Sequence, residues 1–317
     1  MTARDRSAPA GAGNPGRGID WERELGAQRR RLFAIAYRML GSASEAEDML
    51  QEAYLRVAGE TDVAQPAALL RTVVVRLCID QLKSARHART SYVGPWLPEP
   101  LLTADVQADG PARSDERIDE LESLSFAFLL MLETLSPLER AVLVLHDVFD
   151  HDYEEIASML GRSQAACRQL LSRARANVKA ERPRYRATEQ QGAELLSAFL
   201  GAVATGDVAG LSRLLTSDVV MTSDGGGEAR AARRPVYGPD KVARFFVGVA
   251  RKGGHKARAE PCVLNGAPGV LLWDGDTLQS ALVLETDERG IRALRIVVRP
   301  SKLAHLLRTL RERSPGP

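Results

Sequence analysis

Apolar positions recur at helical spacing from about residue 20 to about residue 180, and strand-like runs follow after Pro183. Leu25, Leu32, Phe33, Ile35, Ala36, Tyr37 and Leu40 predict a first helix, Gly41 and Ser42 break it, and a second follows over 44–58. Ser44 with Glu47 three residues on reads as a capping box for that second helix. Pro66 opens a third helix from 67 to about 89, with Leu69, Leu70, Val73, Val74, Leu77, Ile79 and Leu82 as its apolar set. Residues 92–114 carry Pro95, Pro98, Pro100 and Pro111 and predict an extended linker, whose Trp96 and Leu97 require burial. An amphipathic helix is expected over 117–135, and Ser136 followed by Pro137 starts another. Further on, Ile156, Ala157 and Leu160 line one helix, Gly161 ends it, Ser163 caps the next, and Cys167, Leu170 and Leu171 line that one's inner face. The small Ala157 lets the two helices cross closely, as a helix-turn-helix requires.

The last third predicts helices over 193–204 and 208–215, a short strand over 219–222 and a helix over 239–250. Strands near 256–264, 270–273, 277–285 and 291–298 and a final helix over 301–313 complete it. Helices followed by a curved antiparallel sheet make an α+β cone. The fold class is therefore multi-domain, two all-α domains, the second with the helix-turn-helix, followed by the cone.

Charge separates the helices into surfaces. From Asp147 to Glu155 there are five carboxylates and no Lys or Arg, whereas Arg162 to Arg186 holds eight Lys or Arg against one acid, Glu181. Phosphate is attracted to the second helix of the pair and repelled by the first. Gln164, Arg168, Gln169, Ser172 and Arg173 point away from the apolar seam and can donate hydrogen bonds, and Arg175 and Lys179 suit phosphates. The competing reading is a solvated basic face on a plain helical hairpin. Upstream, the second helix carries Glu45, Glu47, Asp48 and Glu52 against Arg56, with Gln51 between them. The third carries Arg71, Arg76, Lys83, Arg86 and Arg89, which serve either a partner or simple snorkelling to water.

At 317 residues and 44% apolar composition the chain has room for two or three cored domains. Net charge is only +2, so nucleic-acid affinity has to come from local patches. Cys78, Cys167 and Cys262 are far apart, odd in number and set in apolar patterns, which argues for reduced core residues and against a disulfide framework or a zinc site. No apolar run approaches the ~20 residues of a membrane span. Residues 1–18 lack the apolar block of a signal peptide, and the expected place of action is the cytoplasm.

The segment AEDMLQEAYLRV, then LLRTVVVRLCIDQLKSARHAR, then LSPLERAVLVLHDVF ahead of the helix-turn-helix with SRAR inside it, resembles the two conserved regions of bacterial extracytoplasmic-function sigma factors, group IV of the sigma-70 family. YVGPWLPEPL resembles the linker signature of the subgroup with a fused SnoaL-like or NTF2-like C-terminal domain, the SigJ-like sigma factors. The likeness covers 27–182 closely and the remainder more loosely. It implies that Asp48, Gln51 and Glu52 dock on the clamp helices of the largest subunit of core RNA polymerase. It implies that Arg76, Asp80, Lys83, Arg86 and Arg89 lie on or beside the element that melts and grips the −10 strand, although the family usually has Asn at the place of Arg76 and often Trp at that of Ala68. The helix-turn-helix would read the −35 element. The linker of the family threads toward the polymerase cleft; when the protein is free, a linker clipped onto its own domains is the other possibility.

DGGGEARAARRPVYGPDKV, starting at Asp224, resembles the subgroup's DGGGK motif and the stretch after it, with Glu228 at the usual Lys. Its glycines give mobility, and Arg230, Arg233, Arg234 and Lys241 make it basic; an ordinary hairpin loop is the alternative. Catalytic members of the cone family use a His or Asp pair inside the cone. Here Asp274 and Asp276 lie in a turn and His255 and His305 outside strand interiors, so no catalytic residue, metal site or cofactor is expected.

The expected organisation is a disordered tail (1–19), region 2 (20–90), a Pro-rich linker (91–116), region 4 (117–183) and a regulatory cone (188–317). The expected function is that of an alternative sigma factor partnered by core polymerase, duplex and melted promoter DNA and its own cone, with no membrane. Asp224, Gly225, Gly226 and Gly227 are the expected cone-side contact for Trp96 and Leu97. The rival class is a helix-turn-helix repressor or activator fused to a ligand-binding or catalytic cone. An acidic helix followed by a basic one argues against it, because a plain repressor has no use for a polymerase dock.

Overall fold

The computed structural model describes residues 19–90, 92–106, 120–181, 188–253 and 257–313, with the side chains of 85–90, 105–106, 120–121, 179–181 and 253 outside the description. Of the tail expected over 1–19 all but Ile19, and most of the second half of the expected linker, fall outside it.

The first three helices are α1 (Trp21–Leu40), α2 (Ala43–Val57) and α3 (Pro66–Thr90). Asp20 caps α1 by accepting from the Arg23 backbone N–H at 3.0 Å, and Gly41 ends it in the left-handed region at φ 69°. The cap of α2 is Ser42, which accepts from the Glu45 N–H at 3.1 Å. Ser44, expected in that role, already has helical backbone. Ser42 has the extended φ/ψ a cap needs.

The linker turns at Gly94, runs without regular secondary structure from Pro95 to Leu101, is buried over Leu97–Leu101, and ends in a short helix, α4 (Thr103–Val106). The helix expected over 117–135 is two, α5 (Glu120–Leu124) and α6 (Phe126–Leu132). Ser125 breaks it, turning to β backbone so that its hydroxyl accepts from the Phe128 N–H at 3.2 Å. Then come α7 (Pro137–Leu143), a π-helical turn (Val144–Val148), α8 (Tyr153–Leu160) and α9 (Gln164–Glu181). Gly161, at φ 61°, ends α8. Residues of α1, α2, α3 and α6 to α9 share one continuous core that includes Leu32, Ile35, Leu50, Val74, Leu129, Val142, Ile156 and Leu171. Regions 2 and 4 are thus packed against each other.

The cone comprises α10 (Glu189–Thr205), α11 (Val208–Leu214), β1 (Leu215–Asp224), β2 (Val236–Tyr237), α12 (Pro239–Gly253), β3 (Ala257–Leu264), β4 (Ala267–Asp274), β5 (Thr277–Asp287), β6 (Gly290–Val297) and α13 (Pro300–Arg313). The described strands form one sheet in the order β2-β1-β6-β5-β4-β3. β1 runs parallel to β6 and every other pairing is antiparallel, so the sheet is mixed where an antiparallel one was expected. Side-chain alternation reports which face a residue joins and says nothing of a neighbour's direction. Val270, Leu282, Leu284 and Ile296 meet Leu196, Phe199, Leu211 and Val242 of α10 to α12 on one face. The intervening Leu271, Ala281, Val283 and Val297 form the other face, covered by Leu303 and Leu306 of α13 and by Leu97, Leu102 and Phe126 from outside the cone. The cone is therefore fused to the sigma helices by the second face of its own sheet.

Candidate nucleic-acid interface and the joint that covers it

The described part of α9 exposes Gln164, Arg168, Gln169, Ser172, Arg173 and Arg175 along its outer side. Its inner residues Cys167, Leu170, Leu171 and Ala174 are buried. Arg168 lies 4.9 Å from the Tyr153 ring centroid and donates to Gln164 Oε1 at 3.2 Å. Arg173 pairs with Glu139 at 3.0 Å, and Arg175 grips the buried Asp147 through two hydrogen bonds of 2.7 and 2.9 Å. Arg175 is thus committed to a structural carboxylate, while Gln169 and Ser172 face outward.

α3 packs directly on α8. The Arg76 guanidinium donates from Nε to the Met159 carbonyl at 2.8 Å and from Nη2 to the Ser158 carbonyl at 3.4 Å. Lys83 pairs with Asp80 at 2.8 Å, and Arg86 and Arg89 lie on the last turns of α3, with side chains outside the description. One turn before Arg76, Arg71 reaches His151 Nδ1 at 3.4 Å and Glu155 at 3.9 Å. Burial lowers the His151 pKa, with Arg71 and Arg31 adding to the effect and Glu155 opposing it. The basic helix and the helix-turn-helix thus face each other.

On α2, Asp48 and Gln51 are exposed, and Glu52 pairs with Arg56 at 2.9 Å. One turn on, Leu55 is 69% exposed, an apolar residue on a polar face that periodicity alone does not flag. Between this face and α13 lies a cleft of about 460 Å³ walled by Glu47, Asp48, Gln51, Arg308 and Glu312. At its edge His305 stacks on Phe33 with ring centroids 5.6 Å apart. Burial first, then the charges of Arg308 and Arg29, bring its pKa down to about 4.

The linker meets the cone at Asp224. Its carboxylate accepts from Tyr92 Oη at 2.7 Å, the Leu97 N–H at 2.8 Å and the Lys302 ammonium at 2.7 Å. Lys302 also donates to the Leu97 carbonyl and sits 4.4 Å from the Trp96 ring centroid, a cation–π distance. Burial draws the Lys302 pKa down to about 8 against the pull of Asp224. Gly226, at φ 54°, cannot be widened: a Cβ would stand 2.5 Å from Arg299 Cδ and 2.8 Å from Tyr92 Oη. Gly227 faces Val93, and Gly225 closes the loop on Ala229. Glu228, at the place of the usual Lys, pairs with Arg299 at 2.6 Å. Trp96 in turn packs on Gly41, where a Cβ would meet its ring at 2.7 Å.

Two further residues tie the pieces together. Glu99 accepts from the Ala43 and Ser44 N–H groups at 2.9 and 3.0 Å, capping α2 from the linker. Asn265, at the tip of the β3–β4 hairpin with φ 52°, donates to Tyr37 Oη at 2.6 Å and to the Leu124 carbonyl at 2.9 Å and accepts from the Leu101 N–H at 2.9 Å. One side chain thus touches α1, the linker and α5. Sequence reasoning missed Lys302, Glu99 and Asn265. Asn265-Gly266 is a hairpin signal, and Lys302 shares a helical face with Leu306; those were the available cues.

Among the described residues no cluster of His, Cys, Asp or Glu could hold a metal ion, and no helix is long and apolar enough to cross a membrane. Cys78 and Cys167 are buried, Cys262 is partly buried, and all three are free.

An acidic helix, a basic helix and a helix-turn-helix share one core and are joined to an α+β cone. Residues 26–88 match Sigma-70 region 2, and residues 125–178 match Sigma-70, region 4. The chain is 42% identical over 234 residues to the ECF RNA polymerase sigma factor SigJ of Mycobacterium tuberculosis, covering 73% of each. It is 33% identical over 285 residues to a probable ECF RNA polymerase sigma factor, SigI, of the same organism, covering 87% of this chain and 92% of that one. The crystal structure of Mycobacterium tuberculosis SigJ superposes with a TM-score of 0.67 at 33% identity, over 89% of this chain and 98% of that one. The chain belongs to the ECF RNA polymerase sigma factors, which are non-enzymatic initiation factors.

Proposed function

We propose that this chain directs core RNA polymerase to specific promoters as an alternative sigma factor whose activity is set by its own cone. The observation that carries the reading is the presence of regions 2 and 4, in order, each with its partner face exposed or held by contacts that can be exchanged. Asp48, Gln51 and Glu52 offer carboxylate and amide groups to a basic polymerase surface. Arg76, Asp80, Lys83, Arg86 and Arg89 on α3 suit a melted −10 strand, whose phosphates need cations and whose bases need pockets. Gln164, Arg168, Gln169, Ser172 and Arg173 suit base edges in a major groove, Arg173 once it leaves Glu139, while Arg175 stays on the buried Asp147 beside them.

The cone regulates by holding the free chain closed. A fused domain acts at high effective concentration, so Asp224, Gly226 and Lys302 need little intrinsic affinity for Tyr92, Trp96 and Leu97 to keep the linker bound. Reaching two promoter elements at once requires regions 2 and 4 to separate, which the shared core and the clamped linker oppose. The site of action is the cytoplasm, with the polymerase. Transcription from a cognate promoter by purified core polymerase plus this chain tests the reading. No promoter-dependent transcript, either from the full-length chain or from an Asp224→Ala variant whose joint is opened, refutes it.

A further inference from the structure

α8 ends at Leu160, and like any helix it leaves its last carbonyls without intrahelical donors. Gly161 and Arg162 satisfy part of this need from the turn, at 3.4 Å to Ser158 and 3.0 Å to Ala157. The Met159 carbonyl is taken by Arg76 of α3, with the Ser158 carbonyl as its second acceptor. A guanidinium suits the place: it is a cation at the negative end of the helix dipole, and its rigid fork sets two N–H groups toward adjacent acceptors. Arg76 is nonetheless exposed, so core packing does not explain its conformation. At the other end of α8, Arg71 faces Glu155 and His151. α3 therefore holds the first helix of the helix-turn-helix at both ends, through side chains of region 2 alone and without any atom of the cone.

We propose that Arg76 is a latch with two mutually exclusive partners: the C-terminal carbonyls of α8 in the free chain, and the promoter strand in the initiating complex. The inference rests on the reading of α3 as the −10 element. One guanidinium cannot serve both partners, so strand capture and release of α8 are a single exchange. The sigma helices thus carry their own closure, and the cone reinforces it.

The test uses the full-length chain with Arg76→Ala and Arg76→Lys, both checked for unchanged far-ultraviolet helix content. Amide hydrogen exchange over 153–162 is expected to quicken about tenfold in Arg76→Ala, the ratio that roughly 1.4 kcal/mol of lost charge-assisted hydrogen bonding gives, and less in Arg76→Lys, which keeps one donor within reach. Exchange in β4 and β5 stays as in the parent. Binding of a fluorescent single-stranded −10 oligonucleotide by the holoenzyme is expected to weaken in Arg76→Ala. Unchanged exchange over 153–162 overturns the latch even if strand binding falls. Faster exchange with unchanged strand binding overturns the two-partner exchange through the reading on which it rests.

Discussion

Regions 2 and 4 share one continuous apolar core crossed by a few polar bonds, such as Arg140 to the Met39 carbonyl and Arg38 to Ser123, whereas the linker adds a dense set of buried polar bonds to its apolar contact with the cone. The first contact is a continuous core in which Leu32, Ile35, Val74, Val142 and Ile156 are fully or almost fully buried. It is non-directional, and it tolerates a hydrophobic exchange of similar volume. The second is a set of single-geometry bonds: Asp224 to Lys302, Tyr92 and Leu97, and Asn265 to Leu101; Asn265 extends it to Tyr37 and Leu124, and Glu99 ties the linker to the start of α2. Each such bond is strong only while every member is in place, because a lone buried charge or amide is costly. Apolar contact therefore supplies the bulk of the closure of regions 2 and 4, and the polar joint fixes the linker to the cone. Loss of one polar partner opens the joint without dissolving either core.

The comparison is broken most severely by removing a charge from the joint. Asp224→Ala leaves the Lys302 ammonium buried without its carboxylate and should weaken cone docking by about 3–5 kcal/mol, seen as faster hydrogen exchange at Trp96 and Leu97 with α10 to α12 unaffected. If Trp96 keeps its protection, the ion pair is not what holds the linker. Asn265→Gly keeps the left-handed backbone and removes three hydrogen bonds, with an expected loss of roughly 1–3 kcal/mol in the same measurement. Arg168→Ala should cost roughly 1–3 kcal/mol at one −35 base and leave other sequences nearly unchanged, whereas equal losses on all sequences would move the recognition face elsewhere.

Acid sharpens the contrast, because His305 belongs to the contact between α13 and α1. Its pKa is lowered from the usual 6.5 to about 4, so the docked state takes up a proton less readily than the undocked one. Docking stability from this group is fully present above pH 6.5 and is lost as pH falls toward 4. In His305→Phe, which keeps the stack on Phe33, this part of the acid dependence should vanish; an unaltered profile would assign it to other groups. The smallest effect is expected from Arg173→Ala. Its pair with Glu139 is exposed on the arginine side, and its loss should change thermal stability by no more than about 0.5 kcal/mol.

Much of this architecture was legible in the sequence. Helical periodicity, Gly161 and Ser163 specified the helix-turn-helix, and the charge contrast between α8 and α9 marked its outer face. Local rules failed where a distant group supplied the missing partner. Ser44 looked like a cap, yet the start of α2 is served by Ser42 and by Glu99 from the linker, 57 residues beyond Ser42. Arg76 looked like a promoter contact, and in the free chain its acceptors lie on α8. Lys302 looked like one more basic residue of a terminal helix, and it is buried against Asp224, Trp96 and Leu97. Pairings of this kind have no signature in spacing, because the fold alone brings the partners together. The parallel β1–β6 pairing was hidden for the same reason.

The central claim is that the free chain is closed and that initiation requires α3 and α8 to part. Its most direct test is the distance between spin labels at Gly59, after α2, and Asn177, on α9, measured in the free full-length chain and again in a transcribing complex with core polymerase and promoter. The account predicts one narrow distance distribution in the free chain and a longer, separate one in the complex. The same distribution in both, in a complex that makes transcript, would contradict it.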